Sequence, residues 1–294
     1  MTLQELLVSA YAKLGQLREG RATGGAVGSV ADSSLANLGS DGDWEQSPIF
    51  ITYDAAGAGA APQGEFSVCS VYTDSTGTFS VSPNFTVAPA SGDYYAYALS
   101  IFPLYTMVLM ANQGLQGLGD VLLADTSLTS VAGQRRYSIP VGLKRRRPLL
   151  VQVATLDDAD DPAYSDIPDY DWVPAAPGST GAIELVRQPL AGQTLRLWYK
   201  GKHASLNIYS DVVSETIEPE LAAVATAYQA AKWLNGAMAG GDNYWISRES
   251  ELKREYDELR SAMAVQLPPP QPQLLVTGIE DDIRHSRFTG DELS

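Results

Sequence analysis

Reactive side chains are scarce in this chain. Cys69 is its single cysteine, and His203 and His285 are its two histidines. An internal disulfide framework or a cysteine-rich metal centre therefore cannot be assembled, and zinc or non-haem iron has few ligands to draw on. Basic residues are few as well: 20 lysines and arginines stand against 35 aspartates and glutamates, a formal net charge of −15. Such a surface repels DNA phosphates, which argues against sequence-specific nucleic-acid binding but leaves a duplex free to pass an acidic wall without sticking. The longest apolar run, Ile101 to Ala111, is broken by Pro103 and is too short to span a bilayer. The opening Thr2-Leu3-Gln4-Glu5 has no basic segment, so no secretory leader is expected and synthesis in a cytoplasm is.

Catalytic patterns are missing too. No Gly-x-Gly-x-x-Gly or Walker loop opens a helix after a strand. His203 follows Lys200-Gly201-Lys202 with no neighbouring nucleophile to build a triad. The run Asp157-Asp158-Ala159-Asp160-Asp161 lacks the ligand order, glycine and distal glutamate of an EF-hand and reads as a solvated acidic loop. No enzymatic activity, metal or cofactor is expected.

What is present is an alternation of patterns. Thr2 and Glu5 form a capping-box signature, and Leu3, Leu6, Leu7, Ala10, Tyr11, Leu14 and Leu17 share a helical face, predicting a helix over 3–18. Short β-rich runs follow at 48–53, 65–73, 77–82 and 93–97, with Asp74 to Gly77 as a tight hairpin turn. Helical spacing returns from Ser100 to Gly117, then β-rich runs occupy 121–123, 127–131, 136–139, 149–155, 182–187 and 194–199. Pro219 starts a helix with Leu221, Val224, Ala225, Tyr228, Ala231 and Leu234 on one side. A second helix, Tyr244 to Gln266, carries a narrow stripe of Trp245, Leu252, Tyr256, Leu259 and Met263.

The expected architecture is α+β. A helical-bundle body carries two small antiparallel β-modules and an extended C-terminal arm. Its parts are an N-terminal helix (1–22), a β-module (23–98), a central helix (99–119), a second β-module (120–214), a helix pair (215–267) and a Pro-rich linker with arm (268–294).

That arm is the most suggestive feature. Leu267-Pro268-Pro269-Pro270-Gln271-Pro272 favours extended polyproline II, and the segment after it has too little apolar content for its own core. Leu274, Leu275, Val276, Thr277, Ile279 and Phe288 are candidates to be buried on a partner, by strand addition or by insertion into pockets. Lys144, Arg145, Arg146 and Arg147 form a basic run suited to an exposed turn or to contact with an acidic partner.

The segments Leu104 to Val108, Leu123 to Ser127 and Ala132 to Pro140 resemble the central part of tailed-bacteriophage head-to-tail adaptor (connector) proteins. So do Trp172-Val173-Pro174, Gly178 to Gly181, Leu195 to Tyr199 and Ile217 to Leu221. The resemblance implies a non-enzymatic virion component of the phage neck, made in the bacterial cytoplasm. It implies a homo-oligomeric ring, typically a dodecamer, docked beneath the portal protein and joined to a downstream neck or tail protein, with no membrane partner. DNA would pass through a channel without being specifically bound, and Glu249, Glu251, Glu255, Asp257 and Glu258 are candidates to line it. Alternative readings are a tail or baseplate structural protein and a virion glycan-binding module.

Overall fold

The computed structural model describes residues 1–140, 147–154, 163–176, 179–237 and 243–262. They fall into two compact units, Met1–Val121 with Lys202–Ala264, and Leu122–Gly201. Among the described residues there are fourteen strands and four helices, and the strands pair into three antiparallel sheets. The expected helical bundle with two small β-modules is therefore wrong. The body is mostly β, and its largest element is a seven-stranded sheet.

The first unit opens with helix α1 (Leu3–Lys13), whose capping box is formed by Thr2 and Glu5. The helix stops at Lys13, five residues before the predicted end at 18, because Gly15 adopts a left-handed φ of 69° just beyond the cap at Leu14. Leu17 then belongs to strand β1 (Leu17–Arg21), not to the helix. Strands β2 (Gly24–Ala26), β3 (Ser29–Ala31), β4 (Pro48–Tyr53), β5 (Phe66–Thr73), β6 (Thr78–Ser82) and β7 (Tyr94–Ala98) complete the sheet in the order β1-β7-β4-β5-β6-β3-β2. A short 3-10 turn, Asp74–Thr76, with Gly77 at φ 60° joins β5 to β6 where the hairpin turn was expected.

Aromatic packing holds this sheet. Phe79 lies 5.0 Å from Tyr72, 5.3 Å from Tyr97 and 5.7 Å from Tyr95 between ring centroids, and Trp44 meets Tyr97 edge-on at 4.9 Å. Ile49, Ile51, Cys69 and Val81 fill the same core. Neighbouring Phe50 points the other way and meets Tyr11 of α1 at 5.7 Å, so β4 is buried on both faces. Gly20 sits opposite Tyr95 in the β1–β7 pairing, and a Cβ there would come within 2.5 Å of the Tyr95 ring. Only glycine lets the edge strand close over that ring.

Helices α2 (Leu104–Gly117), α3 (Pro219–Ala237) and α4 (Asn243–Ala262) complete the unit. Gly114 of α2 faces the backbone of Ala225 on α3; a Cβ there would lie 2.9 Å from the Ala225 carbonyl carbon. Small residues thus allow the two backbones to approach closely, as the alanine-rich α3 sequence suggests. The segment 202–218 leads into α3 and straps the start of α1: Leu3 N–H donates to the Asp211 carbonyl at 2.7 Å, and Val213 N–H donates to Met1 at 2.9 Å. The Asn112 amide clamps Leu206 through both its oxygen (2.7 Å) and its nitrogen (2.8 Å).

The second unit contains β8 (Val121–Thr129), β9 (Arg136–Ser138), β10 (Leu150–Ala154), β11 (Tyr164–Asp166), β12 (Tyr170–Val173), β13 (Ala182–Leu185) and β14 (Thr194–Gly201). A four-stranded sheet, β11-β10-β14-β8, and a three-stranded sheet, β12-β13-β9, share a core of Tyr137, Ile139, Val151, Ile183, Leu185, Leu195 and Leu197. Alternation on β14 separates core-facing Leu195 and Leu197 from Arg196 and Trp198 on the opposite face. No helix among the described residues is long and apolar enough to cross a membrane.

Candidate functional site

Helix α4 turns a narrow apolar stripe inward. Trp245 meets Phe102 edge-on at 5.1 Å, Tyr256 stacks on Tyr228 at 5.6 Å, and Leu252 is buried between them in sequence. Met263 of the expected stripe lies outside the described residues. The five acidic channel candidates on this helix separate into two groups. Glu249 accepts from the Asn235 side chain at 2.6 Å, and Glu255 pairs with Lys13 at 2.5 Å. Lys13 also reaches Glu220 at 3.1 Å, and its ammonium pKa is raised above the ordinary lysine value, first by the Glu255 hydrogen bond. These two glutamates therefore tie α4 to α3 and α1.

The other three point outward. Glu251 pairs with Arg248 at 2.8 Å, Glu258 lies 3.9 Å from Arg254, and Asp257 is exposed with no ion-pair partner among the described residues. Lys253, Arg254 and Arg260 are exposed on the same helix, so three outward carboxylates are matched by three cations. The helix alone presents little net negative field.

Of the basic run, Lys144, Arg145 and Arg146 lie outside the described residues. Arg147 is exposed, with its guanidinium 5.9 Å from the centre of the Tyr170 ring. Leu274, Leu275, Val276, Thr277, Ile279 and Phe288 of the arm all lie outside the described residues.

Two features were missed in the sequence reading. The first is where the negative charge sits: no lysine or arginine occurs between Arg21 and Arg135, a stretch that contains six strands of the seven-stranded sheet. Three carboxylates of that stretch are buried and engaged. Asp32 accepts from the Tyr95 hydroxyl (2.9 Å) and Ser34, Asp93 accepts the N–H groups of Ala55 and Ala90, and Glu65 accepts from Thr86. Asp41, Asp43 and Glu45 are exposed around a loop that Asp74 helps to hold through the Gly39 N–H at 2.9 Å. Glu45 makes no side-chain hydrogen bond or ion pair among the described residues. Burial, with the Glu45 charge adding to it, pushes the Cys69 thiol up to about 12. A signal for this surface was available in the long gap between cations.

The second feature is on β14. Arg196 pairs in register with Gln152 of β10, which pairs with Asp166 of β11, so the three side chains form a row across the sheet. Gln152 bonds Asp166 and Trp198 and leaves Arg196 aside: its amide nitrogen donates to Asp166 at 2.8 Å, and its oxygen accepts from the Trp198 indole at 2.7 Å. The Arg196 guanidinium lies 3.4 Å from the centre of the Tyr164 ring and 5.7 Å from that of Trp198. Its Nε is buried without an acceptor, as is the Ser165 hydroxyl beside Tyr164. Arg196 makes no hydrogen bond or ion pair among the described residues. A stacked guanidinium with unfilled donors is poised for a planar anion.

Elsewhere the polar groups are occupied. His203 is buried, with Nδ1 2.6 Å from the Ala204 carbonyl and Nε2 accepting the Ser214 N–H at 2.9 Å. Desolvation pulls its pKa below the ordinary histidine value. Among the described residues no group of three or more His, Cys, Asp or Glu side chains could hold a metal ion. No family model matches the chain, and no curated protein matches it.

Proposed function

We propose that the chain is a structural, non-enzymatic subunit of a tailed-phage neck: a head-to-tail adaptor that assembles as a ring under the portal protein and passes DNA without gripping it. The observation that carries the reading is the sequence likeness to adaptor proteins in the short segments 104–108, 123–127, 132–140, 172–174, 178–181, 195–199 and 217–221. The charge distribution supports it. Repeated around a ring, the cation-free stretch from Arg21 to Arg135 multiplies into a strongly negative belt that repels phosphates. Within α4, Glu251, Asp257 and Glu258 are the outward carboxylates available to a channel.

The body is sheet-rich, whereas the resemblance implied a helical bundle. The arm 268–294 reaches the portal. A tail or baseplate structural protein is the second reading, favoured by the same β-rich body.

Mass photometry and negative-stain imaging of the purified full chain, with and without portal, test the proposal. Closed rings that bind portal through the arm are expected, and deletion of 268–294 should keep the rings while abolishing portal binding. A chain that stays monomeric and ignores portal removes the reading; rings that bind tail tubes but not portal select the second.

A further inference from the structure

Arg196 is a cation with built surroundings and no hydrogen-bond or ion-pair partner among the described residues. Tyr164 supports one face of the guanidinium at 3.4 Å, and Trp198 flanks it at 5.7 Å. Trp198 is in turn held by Gln152, and Gln152 by Asp166. The chain thus spends its nearby carboxylate on Gln152 and leaves Arg196 two strands away from it. Ala154 of β10, a small residue, pairs in register with Tyr164 of β11. This arrangement fixes the plane of the guanidinium before any partner arrives, which reduces the ordering entropy lost on binding. Its donors suit a carboxylate, with two parallel N–H···O bonds. A polyphosphate or nucleic-acid backbone is the poorer match, because the chain as a whole carries a formal charge of −15.

We infer that the Arg196–Tyr164–Trp198 clasp binds the acidic loop at 41–45 of a second copy of this chain, with Glu45 as the carboxylate it receives. Charge complementarity calls for an acidic occupant. The loop lies in the stretch without lysine or arginine, and Asp41 and Asp43 are tied locally to the N–H groups of Asp74 and Ser40. Glu45 is exposed and makes no such bond. Clasp and loop are different surfaces, so the contact can repeat from copy to copy, as a head-to-tail ring requires. The inference rests on the ring-forming part of the proposed function and is independent of portal binding.

Sedimentation velocity of the full-length chain and its variants tests it. Arg196→Glu and Glu45→Lys should each weaken self-association at least about tenfold, because breaking a desolvated charge pair leaves the other charge unpaired. Arg196→Lys should weaken it too, since an ammonium keeps the charge but loses the planar stack. Mixing R196E with E45K should restore assembly, because each damaged surface then faces its complement on the other variant. Circular dichroism of each variant should match the wild type, and the mixture reports on the contact even where one variant is partly destabilised. Converting Asp157, Asp158, Asp160 and Asp161 together to Asn should leave association unchanged. Normal assembly by R196E, or an R196E–E45K mixture that stays apart, overturns the clasp while leaving ring formation intact. Loss of assembly in the four-Asn variant also overturns Glu45 as the occupant. A wild-type chain that does not associate fails the ring proposal itself.

Discussion

Tyr95→Phe removes one atom and exposes the logic of the seven-stranded sheet. The Tyr95 hydroxyl donates to Asp32 Oδ2 at 2.9 Å in a site where both residues are almost fully buried. Without it a buried carboxylate oxygen loses its partner, which costs about 1–3 kcal/mol. Gly20→Ala attacks the same ring from β1: the new Cβ would meet ring atoms at 2.5 to 2.6 Å, and overpacking of this kind costs about 1–3 kcal/mol. The phenolic oxygen is one of the three atoms contacted, so the two substitutions are coupled. The double variant should be more stable than the sum of the singles by about 0.5–1 kcal/mol. Burial, followed by the Asp32 hydrogen bond, raises the Tyr95 pKa far above the usual tyrosine value. Its neutral form is the one the fold favours, so this stabilisation is complete below about pH 10 and is lost as pH rises beyond it. Calorimetry at pH 7, following the transition of the first unit, should show Tyr95→Phe lowering the melting temperature by roughly 2–4 °C per kcal/mol lost. A Tyr95→Phe protein within about 0.5 kcal/mol of wild type, or strictly additive variants, would refute this account of the core.

Gly114→Ala should destabilise the first unit in urea unfolding although alanine is the better helix former by about 1 kcal/mol, because its methyl group meets the α3 backbone; a net gain in stability would show that the helices can part freely. His203 is held neutral by burial, so its contribution is present above about pH 6.5 and is lost as pH falls from there through its depressed folded-state pKa; His203→Gln should flatten the acid limb of a stability-versus-pH curve, and an unchanged limb would contradict the strap's dependence on it. Deleting 268–294 should leave the thermal transitions of both units in place while abolishing portal binding, and retained binding in co-sedimentation would remove the arm from the interface.

Much of the local structure was legible where one residue pattern dominated. Strands β4 to β7 lie on the β-rich runs and β6 alternates as read, with the Asp-Ser-Thr-Gly turn before it, whereas β5 buries Ser67, Cys69 and Tyr72 and not Val71; α2, α3 and α4 follow their apolar stripes. The misreadings share a cause, because each element depends on partners distant in sequence. Leu17 continues the helical face of α1 in sequence, yet Gly15 turns the chain and β7 claims Leu17 to Arg21 as an edge strand. Strands β2 and β3 are three residues long, and β2 is mostly glycine, so they exist by pairing onto neighbours and not by propensity. Missing these strands made the sheet look like a small decoration on a bundle. For the site, the acidic positions of α4 were readable, but not that Glu249 and Glu255 turn toward Asn235 and Lys13. The Arg196 clasp joins residues from three strands, and no spacing within one segment announces it.

The mass of the wild-type assembly beside that of R196E, E45K and their equimolar mixture tests the central claim most directly. The account predicts closed rings for wild type, dissociated subunits for each variant alone, and rings again on mixing. A wild-type chain that remains monomeric at every concentration and salt would contradict it.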